Sequence, residues 1–194
     1  MSLGDRVEAM LQRTADASAF LDADDRDRLA RALRAALTHR REILPQEDPR
    51  ILHPARTVLI LTDDMKLVDA DALIAGALAE SQAPVLRVDE AAIPDVAAVA
   101  VMDLLRDIPD ANGEALLENL LTADPVATDI ALAERLDYLR HLHLRPALEW
   151  SASFDTARDA YLPVAQRRGG IIARRYEWWC SMFERKYVTG DEAP

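Results

Sequence analysis

Helix start and stop signals recur along nearly the whole chain, and they constrain its fold more than any other feature. Asp22 and the pair Asp124-Pro125 are typical of helix N-termini, and Gly169-Gly170 is typical of a helix end. Half of the residues are hydrophobic, but alanine and leucine supply most of them, whereas glycine is scarce and runs of β-branched or aromatic residues are rare. The sequence therefore predicts an all-α fold.

These signals divide the chain into about eight helical segments. The third begins at His53-Pro54 and extends to Leu61, and a long one begins at Asp124-Pro125 and extends to about Leu144. A chain of 194 residues is long enough to bury one good-sized core. Since no repeat, low-complexity segment or linker is visible, we predict a single domain over residues 1–194, with a disordered tail at 188–194.

Charge and composition limit the classes of partner. The chain has 23 basic and 34 acidic residues, a net charge of −11, which argues against nucleic acid or an anionic membrane as the main partner. The apolar stretches are too short or too interrupted to span a membrane, and no signal peptide is visible. The lone Cys180 cannot form an internal disulfide and suits a reducing compartment. We therefore expect a cytoplasmic protein.

The common signatures of catalysis are missing. The sequence has no glycine-rich phosphate loop, no paired cysteines, no His-Glu-x-x-His and no nucleophile elbow. With four histidines and one cysteine, a histidine-rich zinc site is nearly excluded. What remains is a scattered set of histidines and carboxylates on separate helices.

Three of these residues have both an ordinary and a functional interpretation. On pattern alone, His53 is a surface or capping residue at a helix start, and Glu80 and Glu134 are solvated carboxylates. Glu134 is less ordinary, because it borders the apolar stripe through Ile130 and Ala133. A carboxylate at such a border needs a cation or a hydrogen-bond donor.

Four motifs, read in order, resemble the hydrolase domain of the guanosine tetraphosphate (alarmone) synthetase/hydrolase enzymes and their small stand-alone relatives. These enzymes belong to the HD superfamily of metal-dependent phosphohydrolases. His39 precedes His53 by fourteen residues, as an early histidine precedes the family's His-Pro. The segment HPARTVLIL at 53–61 resembles HPxxVAxIL, LAERLDYLR at 132–140 resembles LADRLHNMR, and YLPVAQRRG at 161–169 resembles YxPLAxRLG. The resemblance covers residues from about 29 to 183 and implies an HD-type helical bundle.

The same resemblance implies a metal site. In the family, one divalent ion, usually manganese, is held by a histidine, the adjacent His-Asp pair and a distant aspartate. The aligned positions are His53, the pair Ala79-Glu80, and Glu134. One ligand is thus lost and two carboxylates are longer by a methylene, although metal–ligand distances tolerate only a few tenths of an ångström. His53, Glu80 and Glu134 are the predicted metal residues.

Other positions of the family's active site have changed more. The Glu-Asp pair that acts on the attacking water aligns with Ala83 and Pro84, neither of which transfers a proton. The family's asparagine after LADRLH aligns with Tyr138, and its nucleotide-holding segment aligns with 44–46, Leu-Pro-Gln. Since the packing motifs persist, the pattern is what loss of catalysis with retention of the fold would leave. We predict no catalytic and no cofactor-binding residue.

Two hypotheses follow. In the favoured one, the protein is an inactive binding or regulatory module without a cofactor, in which Arg56, Arg135 or Arg140 neutralises the carboxylates. In the alternative, the three metal residues bind Mn²⁺ through a carboxylate-rich site, and the protein hydrolyses a nucleotide or another phosphate ester. Loss of the proton-transfer pair alone costs on the order of a hundred- to ten-thousand-fold in rate, which favours the first.

The C-terminal third of the chain bears on partners. The segment QRRGG and the pair Arg174-Arg175 form a local basic cluster that could contact the phosphates of a nucleotide, although most such clusters are solvated helix ends. The adjacent Trp178 and Trp179 point about 100° apart on a helix, so unequal burial is expected. The exposed one would mark a surface for a protein partner or for a homodimer.

Overall fold

The computed structural model describes residues 2–80, 84–87, 99–109 and 115–189. All regular structure in these ranges is helical and none is strand, which confirms the all-α prediction. With π-helical extensions counted as part of their helices, the described residues form nine continuous helices, against about eight expected. The α-helical segments are α1 (Leu3–Ala17), α2 (Ala23–Ile43), α3 (His53–Leu59), α4 (Ala70–Leu78), α5 (Val99–Asp107), α6 (Leu116–Thr122), α7 (Pro125–Arg140), α8 (Trp150–Thr156), α9 (Leu162–Arg168) and α10 (Gly170–Phe183).

Short turns of other helix types extend or join these segments. Three are π-helical: Ile60–Asp64 continues α3, Ala157–Tyr161 joins α8 to α9, and Glu184–Val188 continues α10. The others are 3₁₀ turns, which serve as connectors here. They lie at Pro49–Leu52, Pro84–Leu86, Leu142–Leu144 and Ala147–Glu149.

The predicted helix caps are confirmed. The Asp22 side chain accepts a hydrogen bond from an amide of the first turn of α2, and Asp124 accepts two from α7, with Pro125 in the tolerated first-turn position. Gly169 and Gly170 have φ angles of 74° and 71°, in the region that favours glycine; Gly169 lies between α9 and α10, and Gly170 is the first residue of α10.

Helix α7 ends earlier than expected, at Arg140 instead of about Leu144. The chain tightens into a 3₁₀ turn at Leu142–Leu144, and Arg145 is extended, with a ψ angle of 165°. Because Pro146 follows, Arg145 is disfavoured in the helical region, and the helix ends before it. At the C-terminus the last π-helical turn includes Val188, and residues 190–194 of the predicted tail lie outside the described residues, as do residues 88–98.

Helix α7 runs through the interior of the bundle. Every residue from 127 to 137 is buried, and α3, α4, α5 and α10 all contact this helix. A helix buried on all sides must also bury its polar residues, which then need partners. Gly76 on α4 lies so close to Leu61 that a Cβ would collide with that side chain, so α3 and α4 pack tightly beside α7. Along the described parts of the chain, no helix is both long enough and apolar enough to cross a membrane.

Candidate functional site

A cavity of about 280 Å³ lies where the N-terminus of α3 meets the C-terminal end of α7. Eight of its fourteen lining residues are arginines or carboxylates, and this charged cavity is the candidate site. The arginines and the carboxylates are equal in number, so the wall is neutral apart from its histidines. The lining residues are Arg40, Arg50, Arg56, Arg145, Asp48, Glu80, Asp137, Glu149, His53, His141, Pro49, Tyr138, Leu144 and Pro146.

Asp137 lines the cavity from the last turn of α7, with a side chain only 1% exposed. It accepts hydrogen bonds from His53 Nδ1 at 2.7 Å, from Arg56 Nε at 2.6 Å and from Arg56 Nη2 at 2.9 Å. Burial alone would raise the pKa of the Asp137 carboxyl, but His53 and Arg56 outweigh burial and hold that pKa well below its usual range. Asp137 is therefore ionised.

The same contacts fix His53, the first residue of α3. A carboxylate can only accept, so His53 Nδ1 carries the hydrogen that Asp137 receives. In the neutral imidazole, the lone pair is then on Nε2. Arg56, one turn later, also donates to the Pro49 carbonyl at 2.8 Å, and this ties α3 to the preceding 3₁₀ turn. Helix α3 is thus anchored at both His53 and Arg56.

Glu80, which follows the end of α4, forms a buried ion pair with Arg40 of α2. Arg40 Nη2 lies 2.5 Å from Glu80 Oε2, and the side chains are 2% and 4% exposed. Arg40 Nη1 also donates to the Arg50 carbonyl at 3.0 Å. A buried charge needs a partner of the opposite sign, and Arg40 and Glu80 meet that need for each other.

Two further ion pairs form the outer wall. Arg50 donates to Asp48 through Nη2 at 2.6 Å, and Arg145 donates to Glu149 through Nε at 2.6 Å. Burial raises the pKa of Asp48, but hydrogen bonds from Arg50 more than offset this, and the pKa falls below its usual value. The Arg145 guanidinium also lies over the Tyr138 ring, 5.0 Å from its centroid. Each lining arginine therefore faces one lining carboxylate.

His141 is the second histidine of the wall. Its Nδ1 lies 2.9 Å from the Asp137 carbonyl oxygen and donates to it, since a carbonyl only accepts. Burial lowers the pKa of His141, and the positive charge of Arg56 lowers it further. His141 is thus neutral at pH 7.

The structure brings two of the three predicted metal residues to this cavity. His53 and Glu80 both line it, whereas Glu134, 1% exposed on α7, is not among the lining residues. In the described parts of the chain, no group of three or more histidines, cysteines, aspartates or glutamates is placed so as to hold a metal ion. A metal at His53, Glu80 and Glu134 stays a prediction.

The three arginines expected near these carboxylates have separate contacts. Arg56 pairs with Asp137, as described. Arg135 donates to the Ser153 carbonyl at 3.2 Å, and its guanidinium lies over the rings of Tyr138 and Tyr161. Arg140 lies outside the charged cavity. His39 is also not a lining residue, and its Nε2 is 3.2 Å from the Val85 carbonyl oxygen.

Sequence reasoning missed two central residues of the site, Arg40 and Asp137. Arg40 continues the apolar stripe of α2 through Leu33 and Leu37 at helical spacing, so its burial could have been predicted. Asp137 follows Glu134 by three residues on α7 and could have been paired with it as a second buried carboxylate.

Comparisons with known proteins do not assign the chain to a family. No protein-family model matches it, and no curated protein matches it.

Proposed function

We propose that the protein is a degenerate relative of the alarmone hydrolases that binds a small phosphorylated ligand, such as a nucleotide, without hydrolysing it. The observation that carries the proposal is the charged cavity, in which four arginines and four carboxylates line one space. Guanidinium groups donate in a planar fork that matches phosphate oxygens, and arginine is enriched where phosphate is recognised.

The four ion pairs of the cavity differ in exposure and therefore in how easily a ligand can replace them. In the inner pairs, Arg56–Asp137 and Arg40–Glu80, three of the four side chains are at most 4% exposed, and Arg56 is 20% exposed. Arg50 and Arg145 are 37% and 27% exposed, and ion pairs with water access contribute only about 0–1 kcal/mol. Arg50 and Arg145 can therefore exchange their carboxylate partners for a phosphate at small cost.

Hydrolysis requires a group that activates water, and the residues at the relevant positions do not provide it. At the positions that align with the family's proton-transfer pair, Pro84 has no titratable group and Ala83 lies outside the described residues. Glu80 is held by Arg40. Loss of the family's proton-transfer pair alone lowers the rate by about two to four orders of magnitude.

Titration calorimetry with guanosine tetraphosphate, GTP and GDP tests the binding. We expect saturable binding at low salt, weakened about tenfold by Arg145→Gln, because a charge-assisted contact contributes about 1.5 kcal/mol or more. Arg106→Gln is the matched control, since Arg106 is an exposed arginine paired with Asp103 outside the cavity. Absence of heat with all three nucleotides, or equal affinity in both variants, contradicts the proposal.

An activity assay tests the second half of the proposal. We expect no release of pyrophosphate from guanosine tetraphosphate with added Mn²⁺. Turnover that Glu134→Gln abolishes, with unchanged circular dichroism, would instead establish the metal-dependent phosphohydrolase with His53, Glu80 and Glu134 as its ligands. A phosphorylated small-molecule ligand and a reduced Cys180 both suit a cytoplasmic protein, and fractionation of the source cells would test that location.

A further inference from the structure

A second cavity, of about 170 Å³, lies among α1, the π-helical turn after α3, the end of α7 and α10. It shares Arg56 with the charged cavity, but its charges are not balanced. Its wall has four arginines and only two carboxylates, although the whole chain has a net charge of −11. The lining residues are Arg13, Arg56, Arg140, Arg175, Asp63, Asp64, Met10, Leu59 and Ile60.

One carboxylate of this cavity faces two guanidinium groups. The Asp64 side chain is 4% exposed and accepts from Arg175, with Nε at 2.5 Å from Oδ2 and Nη2 at 2.7 Å from Oδ1. Arg140 Nη2 is 3.9 Å from the same Oδ2, too far for a hydrogen bond. Asp64 is therefore used by Arg175, and Arg140 receives only a weak attraction from it.

Arg140 is thus a partly buried cation without a close counterion. Its side chain is 32% exposed, and it donates no hydrogen bond to any residue within the described ranges. Burial lowers the pKa of Arg140, and the positive charge of Arg175 lowers it further. Arg13, at the rim, is 66% exposed and stands 3.9 Å from Asp63, so this pair too is loose.

We infer that the second cavity is an anion site, in which Arg13, Arg140 and Arg175 bind a phosphate group. Arg56 is neutralised by Asp137, Arg175 by Asp64 and Arg13 loosely by Asp63, so the excess positive charge is mainly on Arg140. A tetrahedral oxyanion bound there supplies the acceptors that Arg140 lacks and relieves its repulsion from Arg175. The site is independent of the function proposed for the charged cavity.

Inorganic phosphate is the probe for this site. The titration is followed on the arginine Nε–Hε signals by nuclear magnetic resonance, with chloride adjusted to hold the ionic strength constant. We expect the signals of Arg140 and Arg175 to shift and to saturate. Shifts that stay linear with phosphate concentration, or that do not involve these two arginines, overturn the inference.

Two variants at the rim change the charge in opposite directions. Arg13→Gln removes a cation and should weaken phosphate binding about threefold, whereas Asp63→Asn removes an anion and should strengthen it by a similar factor, as expected for partly exposed charges. Both residues are more than half exposed, so both variants should fold. Arg106→Gln, a surface arginine of similar exposure, should leave the affinity unchanged. Equal affinity in all three variants overturns the inference.

A further variant distinguishes phosphate binding in the second cavity from phosphate binding in the charged cavity. Arg145→Gln alters only the charged cavity and should leave phosphate binding at Arg140 and Arg175 intact. If Arg145→Gln abolished the shifts while Arg13→Gln did not affect them, the phosphate would belong to the charged cavity, and the second site would be disproved. Failure of nucleotide binding in the charged cavity would not change the outcome of this titration.

Discussion

The charged cavity and an aromatic cluster lie at the same end of α7, but different forces hold them together. The aromatic cluster comprises Trp150, Phe154, Trp179, Phe183 and Tyr187. Its rings pack in stacked and edge-on arrangements, with centroids 4.7 Å apart for Trp179 and Phe183, and apolar contact is favourable with any apolar neighbour. Each charged group of the cavity instead requires one partner of opposite sign. The aromatic cluster therefore contributes mainly to the stability of the fold, whereas the cavity provides ionic contacts that a ligand can replace.

The two regions meet at Trp150 and Trp179. Trp150 Nε1 donates to the Arg145 carbonyl at 3.0 Å, and Trp179 Nε1 donates to the Leu139 carbonyl at 2.9 Å. These bonds hold the backbone at the end of α7 and at the start of the segment that carries Arg145. The cluster thus acts as the rigid support for one wall of the cavity.

The largest loss of stability is expected from a substitution in the aromatic cluster. Trp179 is 2% exposed and Trp178, beside it, is 66% exposed. Trp179→Ala should lower the free energy of unfolding by about 4 kcal/mol, because it removes a buried indole and leaves a cavity. Trp178→Ala is the matched control and should change that free energy by less than about 0.5 kcal/mol. Urea unfolding followed by circular dichroism measures both.

Equal losses in the two variants would mean that Trp178 is also covered in solution, as it would be in a homodimer. The predicted difference between the tryptophans should therefore be measured at low and high protein concentration. A concentration-dependent loss for Trp178→Ala would show that its exposed face is an interface.

The second prediction concerns the cavity and pH. Asp137→Asn keeps the shape of the side chain but removes the charge that His53 and Arg56 share, and it should destabilise the protein by about 3 kcal/mol at pH 7. The folded-state pKa of Asp137 lies below its unfolded value of about 3.9, so the carboxylate contributes its full stability above that pH. This contribution is lost as pH falls through the lower, folded-state pKa.

Unfolding of both proteins between pH 7 and pH 2 provides the measurement. The free-energy difference between wild type and Asp137→Asn should be constant down to about pH 4 and should shrink below it. A difference that persists unchanged to pH 2 would indicate that the variant is destabilised by altered packing and not by the lost charge. No comparable pH dependence is expected of Trp179→Ala.

The same contrast explains how much the sequence could predict. Helix caps and apolar periodicity are local signals, and they predicted the all-α fold, the start of α7 and the unequal burial of Trp178 and Trp179. The end of α7 was misplaced by four residues, because apolar periodicity does not distinguish an α-helix from the 3₁₀ turn that the chain forms at Leu142–Leu144.

The partners of the charged groups were much harder to predict. Glu80 was expected to be near Arg56, Arg135 or Arg140, but it pairs with Arg40, forty residues away along the chain. Periodicity indicates which charges are buried, whereas their pairing depends on the relative placement of α2 and α4. The same sequence pattern is compatible with several different pairings between arginines and carboxylates. The pattern therefore does not predict which arginine pairs with which carboxylate.

The smallest expected effect concerns this Arg40–Glu80 pair. Glu80→Gln keeps an acceptor for Arg40 but leaves the buried guanidinium without its counterion, and it should cost about 2 kcal/mol of stability. Arg40→Met should cost at least as much, because it leaves the buried carboxylate and removes the donor to the Arg50 carbonyl. If the two charges matter chiefly to each other, the double variant should be more stable than the sum of the single losses predicts. If the losses in unfolding free energy are additive in urea unfolding, Arg40 and Glu80 instead stabilise the protein through separate neighbours.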